Sequence, residues 1–136
     1  MTRNLFIVSI LAIVFISCEK KEITTSVSTT TTSETLAKFT VMASDGVVKA
    51  NYTVLMFATK ATQGSPLPSI LAQAVSDSQG VATLYLENVV TSSSPKTYYF
   101  IAVQQQGSNY VWKTPYMQAE VSLKKGTTYV SSIFVQ

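Results

Sequence analysis

The sequence predicts an all-β domain, a seven-stranded antiparallel Greek-key β-sandwich that covers residues 36–136. Three observations lead to this prediction. No window after residue 35 keeps the 3.6-residue spacing of apolar side chains that marks an amphipathic helix. Short runs rich in β-branched and aromatic residues alternate in polarity with a period of two instead. Turn signals separate these runs at intervals that are typical of sandwiches and barrels.

The first three predicted strands are residues 36–43, 51–58 and 70–75. Asp45-Gly46 breaks the chain after the first strand. The second strand alternates strictly, because Thr53, Leu55 and Phe57 share one face and their neighbours share the other. Two prolines at positions 66 and 68 exclude the following loop from a central strand, since proline cannot donate a ladder hydrogen bond.

The other four predicted strands are residues 81–87, 97–104, 109–113 and 127–135. Asp77 and Gly80 form the turn before the first of these, with Asp77 capping the backbone and Gly80 free to adopt a positive φ. Residues 97–104 show the clearest alternation. Residues 116–123 either extend the sixth strand or form an irregular crossover. The residues predicted to face the core are Phe39, Val41, Leu55, Phe57, Leu84, Leu86, Tyr99, Ile101, Val103 and Ile133.

The first 17 residues have the pattern of an export signal. Arg3 precedes the twelve-residue segment Leu5–Ile16, which is apolar except for Ser9. The end of this segment, Phe15-Ile16-Ser17-Cys18, resembles the lipobox of bacterial lipoproteins. That resemblance implies removal of residues 1–17 and lipid on Cys18. An uncleaved anchor and an ordinary secretory signal are the alternatives, but twelve residues rise only about 18 Å as a helix, short of a ~30 Å hydrocarbon core.

Residues 18–35 are predicted to be a lipidated cysteine followed by a tether. Ten of the twelve residues from Thr24 to Thr35 are Ser or Thr. Such a segment buries too little apolar surface to offset its ordering entropy, so we expect it to be disordered. The predicted partner is therefore a membrane, reached through lipid on Cys18. This places the protein in the cell envelope at the outer membrane, on either its periplasmic or its outer face.

Two motifs connect the domain to a known class of sandwich. Gly46–Ala50 forms a short apolar link before a strand, and Ser76-Asp77-Ser78-Gln79-Gly80 forms a turn before another. Tyr98-Tyr99-Phe100 adds an aromatic-rich strand. Residues 44–99 thereby resemble the prealbumin-like, or transthyretin-like, sandwiches, especially carboxypeptidase regulatory-like domains. The resemblance implies a transthyretin-like fold in a lipoprotein similar to those of the Bacteroidetes group. It implies little about function, which varies widely within such folds.

The composition argues against most enzymatic chemistry. The chain has no His, and its one Cys is Cys18, so His-based triads, Cys-His dyads and most zinc sites are excluded. Among seven acidic residues, only Glu87 and Glu120 lie outside the tether and the turns, and nothing in the sequence brings them together as a glycosidase pair. We predict no catalytic residue, no metal and no cofactor.

The charge balance argues against nucleic-acid binding. Arg3 is the only arginine among ten basic residues, so nine Lys and seven acidic residues remain after its removal. Nucleic-acid binding requires clustered cations that displace counterions from the phosphates. The nine Lys are dispersed, so a nucleic-acid partner is not expected.

Aromatic residues near the C-terminal half are the candidate contacts for a partner protein or a glycan: Tyr110, Trp112 and Tyr116. Amphipathic rings with polar tips suit such surfaces. Alternatively, Trp112 fills the sandwich core and Tyr110 lies at its rim.

The sequence thus predicts a lipid-anchored envelope module with a non-catalytic binding or structural role. One alternative is a subunit of a surface fibre that assembles by strand exchange through residues 127–135. The other is an accessory domain that binds or acts on glycans.

Overall fold

A computed structural model describes residues 33–114 and 118–136. This part of the chain forms eight strands and no helix. The strands are β1 (Leu36–Ala43), β2 (Thr53–Phe57), β3 (Ile70–Val75), β4 (Val81–Tyr85), β5 (Lys96–Gln106), β6 (Asn109–Trp112), β7 (Ala119–Leu123) and β8 (Thr128–Val135).

The strands form two sheets. The three-stranded sheet has the order β4-β1-β8, and β1 is antiparallel to β4 but parallel to β8. The five-stranded sheet has the order β3-β2-β5-β6, with every pair antiparallel. β7 pairs with residues 96–100 of β5, whereas β6 pairs with residues 103–106. β6 and β7 therefore follow one another along the same edge of β5.

The predicted all-β class is confirmed, but two details of the prediction are wrong. The described residues contain eight strands, because Ala119–Leu123 forms a strand of its own between the predicted sixth and last strands. The arrangement is also not wholly antiparallel, since β1 and β8 pair in parallel over eight residues. Alternation along one strand is the same in both kinds of pair, so the sequence pattern could not distinguish them.

The core between the sheets combines aromatic and aliphatic side chains from both. The rings of Phe39 and Phe100 lie 4.8 Å apart between centroids, and Tyr129 packs against Phe39 at 5.8 Å. Fully burying a Phe or Leu side chain contributes about 1.5–3 kcal/mol. The fully or nearly fully buried members of this cluster are Ala37, Phe39, Val41, Val54, Met56, Ala82, Leu84, Leu86, Val90, Tyr98, Phe100, Ala102, Val121, Leu123, Ile133 and Val135.

A second buried cluster lies on the outer face of the five-stranded sheet. It contains Leu55, Phe57, Ala61, Ile101 and Val103. Residues of the loop 58–69 and of β6 cover it, namely Leu67, Tyr110 and Trp112. As a result, all five residues of β2 and the centre of β5 are buried on both faces.

Nine of the ten predicted core residues are buried, and Tyr99 is half-buried. Four of the nine belong to the outer cluster and not to the core between the sheets: Leu55, Phe57, Ile101 and Val103. The opposite face of the same strands fills the space between the sheets. Both faces of these strands are apolar, so alternation identified buried positions without showing which sheet face meets the other sheet.

The turn before β4 has the predicted chemistry. Asp77 Oδ1 accepts hydrogen bonds from the backbone N–H groups of Gln79 and Val81, both at 2.9 Å. Gly80 has a φ of 77°, and a Cβ atom placed there would lie 2.8 Å from Cβ of Val48. Glycine is therefore required by both backbone conformation and space.

Because β5 is buried on both faces, we expect alanine substitutions at two adjacent β5 residues to destabilise the domain by similar amounts. Phe100→Ala and Ile101→Ala should each lower the free energy of unfolding by about 2–5 kcal/mol. Tyr85→Ala is the control, because Tyr85 is 69% exposed and its loss should cost under about 0.5 kcal/mol. Urea unfolding measures all three. A small effect for Ile101→Ala would contradict burial of the outer face.

Gly46 and Gly80 have similar positive φ values but different surroundings. Comparing alanine substitutions at the two positions therefore separates the cost of steric crowding from the cost of backbone strain. Gly46 has a φ of 84° and no atom within 4 Å of an added Cβ, unlike Gly80. Both Ala variants incur the cost of a left-handed conformation, and only Gly80→Ala adds a clash. We expect Gly80→Ala to be less stable than Gly46→Ala by about 1–3 kcal/mol in thermal or urea unfolding. Equal stabilities would argue against the close approach to Val48.

Candidate binding site beside Trp112

Two of the predicted contact residues lie side by side on the five-stranded sheet. Tyr110 and Trp112 belong to β6, are half-buried, and pack on the outer cluster. Trp112 is paired across the strands with Val103. It packs on the outer cluster and not among the side chains between the two sheets. Cys18 and Tyr116, the other two predicted site residues, lie outside the described residues.

A cleft of about 540 Å³ opens at the sheet edge between the end of β6 and the start of β7. It extends from the outer face of the five-stranded sheet to Tyr129 of β8 in the other sheet. Its lining residues are Lys60, Ala61, Thr62, Gln63, Trp112, Thr114, Gln118, Ala119, Glu120 and Tyr129.

Thr114 holds one wall of the cleft in place. Its hydroxyl Oγ1 accepts a hydrogen bond from the backbone N–H of Ala102 at 2.8 Å, where β5 has neither β6 nor β7 beside it. The indole Nε1–H of Trp112 donates to the carbonyl oxygen of Thr114 at 2.6 Å. Thr114, which bonds β5 between the positions paired with β6 and with β7, therefore also sets the orientation of the Trp112 indole.

Gln118 holds the opposite wall. Its side-chain amide makes two hydrogen bonds with the backbone of Ala61: Oε1 accepts from N–H at 2.9 Å, and Nε2 donates to the carbonyl at 2.8 Å. Both groups are buried, so losing either bond would leave a buried polar group without its partner, at about 1–3 kcal/mol. This pair fixes the loop 58–69 against the sheet edge and gives the cleft a defined shape.

The cleft combines two aromatic rings with a polar rim. Trp112 and Tyr129 supply the rings, and Thr62 and Gln63 add neutral hydrogen-bonding groups. Lys60 and Glu120 supply one charge of each sign, so the described lining residues together have no net charge that would select an anion or a cation. Such a cleft suits a neutral polar ligand that has apolar surface for the rings and hydrogen-bonding groups for the rim.

The two isolated acidic residues are not brought into one site. Glu120 lines the cleft beside Trp112, whereas Glu87 lines a different cleft and accepts a hydrogen bond from the backbone N–H of Thr35 at 3.2 Å. Within residues 33–114 and 118–136, no group of three or more His, Cys, Asp or Glu residues could hold a metal ion.

Sequence reasoning found Trp112 but missed its neighbours in the cleft. Lys60 belongs to the loop 58–69, and Gln118 directly precedes β7. Tyr129 belongs to β8 in the other sheet. The pairing of Gln118 with Ala61 joins residues 57 positions apart. No local pattern in the sequence signals a contact of that kind.

None of the described residues forms a helix with the length and hydrophobicity needed to cross a bilayer. No family model and no curated protein matches the chain. A solved structure, chlorocatechol 1,2-dioxygenase from Pseudomonas putida, is similar over 74% of this chain, with 11% identity and a TM-score of 0.41. This chain spans 58% of that enzyme's chain. A similarity this distant carries no argument about activity.

Proposed function

We propose that this protein is a lipid-anchored module of the cell envelope with a non-catalytic binding role. The N-terminal pattern supports the anchor, because an apolar segment of signal length ends at Ser17-Cys18 and polar residues follow at once. The observation that carries the binding role is the cleft beside Trp112, which joins two aromatic rings to a polar rim. Lipid on Cys18 holds the module at the bilayer, and the cleft receives its ligand.

We also propose that the fold is a transthyretin-like Greek-key sandwich. The order of the strands supports this assignment. β2 and β3 are neighbours, β4 follows β3 through the Asp77–Gly80 turn, and β5 returns to lie beside β2. Three consecutive strands and a fourth that returns beside the first define a Greek key. The two motifs, residues 46–50 and 76–80, precede β2 and β4.

Among glycan functions, binding is better supported than hydrolysis. Glycosidases of the common type need two carboxyl groups on either side of the scissile bond. The cleft beside Trp112 is lined by one described carboxylate, that of Glu120. An aromatic ring flanked by amide and hydroxyl groups, in contrast, suits the apolar face and the hydroxyls of a sugar. A glycan is therefore the second candidate for the role of this site.

The fibre alternative, with exchange of the last strand, receives less support. β8 pairs with β1 along all eight residues, and its Ile133 and Val135 are buried between the sheets. Release of β8 would expose these side chains and unpair the full length of the ladder.

Lipidation has a direct test. Cys18→Ala should block acylation and the lipoprotein-specific cleavage, so the protein is recovered as an unprocessed precursor or as a soluble product released by another peptidase. Several acyl chains are needed for stable anchoring, since each buried methylene contributes about 0.8 kcal/mol and one chain binds only marginally. Mass spectrometry of the membrane-extracted protein is decisive. An unmodified Cys18 or a different mature N-terminus would end this proposal.

Trp112 is the only tryptophan, so its fluorescence reports directly on the cleft. Titration with peptidoglycan fragments and with neutral oligosaccharides should change this emission. By calorimetry, Trp112→Leu should weaken binding about tenfold or more, the loss expected for a central aromatic contact. Tyr85→Ala, on the outer face of the other sheet, is the matched control and should bind normally. Binding that is unaffected by Trp112→Leu would exclude this cleft as the site.

A further inference from the structure

β3 is an edge strand of the five-stranded sheet that carries no charge. Among the described residues it pairs only with β2, and its sequence, Ile70–Val75, contains no charged residue, no Pro and no Gly. From Ala61 to Leu86, Asp77 is the only charged residue. Natural edge strands avoid association through charges, prolines, bulges or short length. Charge therefore does not prevent another strand from joining the sheet at β3.

The hydrogen bonds of Ser76 show which backbone groups of β3 face away from β2. Its N–H donates to the carbonyl oxygen of Tyr52 at 2.8 Å, and its carbonyl oxygen accepts from the N–H of Asn51 at 2.9 Å, so both groups face the segment that leads into β2. Successive residues of a strand point these groups to opposite edges, so those of Val75 and Gln73 point away from β2. Within residues 33–114 and 118–136, the backbone groups of Val75 and Gln73 have no hydrogen-bond partner.

Two features limit the open stretch of this edge. After its C-terminal end, the N–H of Asp77 faces the same way but donates to the carbonyl oxygen of Val81 in the turn at 3.0 Å. At its N-terminal end, Leu71 has no partner on β2 and forms a bulge. The open stretch is therefore Leu71–Val75, and Gln73 is its central residue.

The sequence of this stretch reads nearly the same in both directions. It is Leu-Ala-Gln-Ala-Val, with an aliphatic residue at each end and glutamine in the middle. Ala72 and Ala74 pack against the core between the sheets. The other three side chains are exposed, and Leu71 and Val75 are 37% and 58% exposed. A twofold axis through Gln73 would therefore bring side chains of the same kind together.

We propose that β3 is a self-association edge, to which a second copy of this chain adds its own β3 antiparallel about a twofold axis at Gln73. Gln73 then lies opposite the partner's Gln73, and Leu71 lies opposite the partner's Val75. Ala72 lies opposite the partner's Ala74. The N–H and C=O groups of Gln73 in each copy bond to the same groups of the other copy. Two five-stranded sheets become one continuous sheet.

The side chains favour this register and favour a second copy as the partner. Pairing centred on Gln73 places each exposed aliphatic side chain against another and one amide beside the other, which are favourable cross-strand pairs. Pairing centred on Ala74 would place Leu71 opposite the partner's Asp77, an aliphatic side chain against a carboxylate. In the register centred on Gln73, the Asp77 residues of the two copies lie at opposite ends of the ladder. A second copy therefore meets no like charge along the strand.

The size of the ladder predicts a weak dimer. A five-residue stretch is about 17 Å long, and a sheet edge about 10 Å thick gives roughly 340 Å² for the two partners together. Stable complexes bury at least about 1,200 Å². Association should therefore depend on concentration, and covalent trapping is the sensitive way to detect it. The proposal does not rest on the lipid anchor, although confinement to one bilayer would raise the effective concentration.

Disulfide trapping tests the register in the full-length chain, extracted from the envelope of producing cells. Hydrogen-bonded pairs of this type have Cα atoms about 5.5 Å apart, within the range of a disulfide. Gln73→Cys should therefore form a disulfide-linked dimer on mild oxidation. Val75→Cys is the matched control on the same exposed face, because in this register its Cα lies about 13 Å along the strand from the same atom of the other copy. The unsubstituted chain accounts for any disulfide through Cys18.

On a non-reducing gel, we expect at least about tenfold more dimer for Gln73→Cys than for Val75→Cys. Equal trapping of the two variants, or none at Gln73→Cys, would overturn the proposal. So would protection of the Gln73 and Val75 amides from hydrogen exchange in dilute, monomeric protein, because it would mean that another segment of the chain covers the edge.

A charge exchange provides a second test that does not depend on oxidation. Gln73→Glu and Gln73→Lys each place like charges opposite one another, so each variant alone should associate about fivefold to tenfold less in sedimentation analysis at high protein concentration. A mixture of the two should recover association. Val130→Lys adds a charge at an exposed position of β8, in the other sheet, and should not affect the dimer. Undiminished association of both Gln73 variants, or a mixture that associates no better than either alone, would refute the pairing at Gln73.

Discussion

The burial of β5 on both faces is the constraint on which the other features of this domain depend. One face of β5 supplies Phe100 and Ala102 to the core between the sheets, and the other supplies Ile101 and Val103 to the outer cluster. A sheet in a two-layer domain usually leaves its outer face to water. Here the outer face is apolar, so a further segment must cover it. The loop 58–69 and the aromatic residues of β6 perform that role.

The cleft beside Trp112 is a consequence of this covering layer. The loop 58–69, which covers the outer cluster, lies against the sheet edge. Gln118 holds it there through hydrogen bonds to the backbone of Ala61. At the same edge, β6 stops and β7 begins, and Thr114 satisfies the backbone of β5 between them. The cleft lies at this interruption in the strand layer, bordered by a fixed loop, and no buried side-chain N or O atom of residues 33–114 and 118–136 lacks a hydrogen-bond partner. Stability and the shape of the site thus depend on the same few hydrogen bonds.

The edges of the two sheets differ in how they are closed. β3 and β4 are joined by the tight Asp77–Gly80 turn, which brings the two sheets together on that side. On the opposite side the N–H of Gln136, directly after β8, donates to the carbonyl oxygen of Lys113, directly after β6, at 2.9 Å, and the cleft beside Trp112 lies next to this contact. The two sheets are thus joined by a tight turn on one side and by a hydrogen bond beside the cleft on the other.

The sequence alone determined the β class, most strand positions and the Asp77–Gly80 turn. It also determined that residues such as Leu55 and Ile101 are buried. These features follow from period-two alternation and turn chemistry, which are local properties of the sequence. It also identified Trp112 as a candidate contact. The tertiary structure decided that Leu55 and Ile101 face outwards and that β8 pairs in parallel with β1. It also decided that Lys60, Gln118 and Tyr129 line the same cleft as Trp112. Those outcomes depend on contacts between residues far apart in the chain, and no local pattern encodes which of two apolar faces another segment will cover.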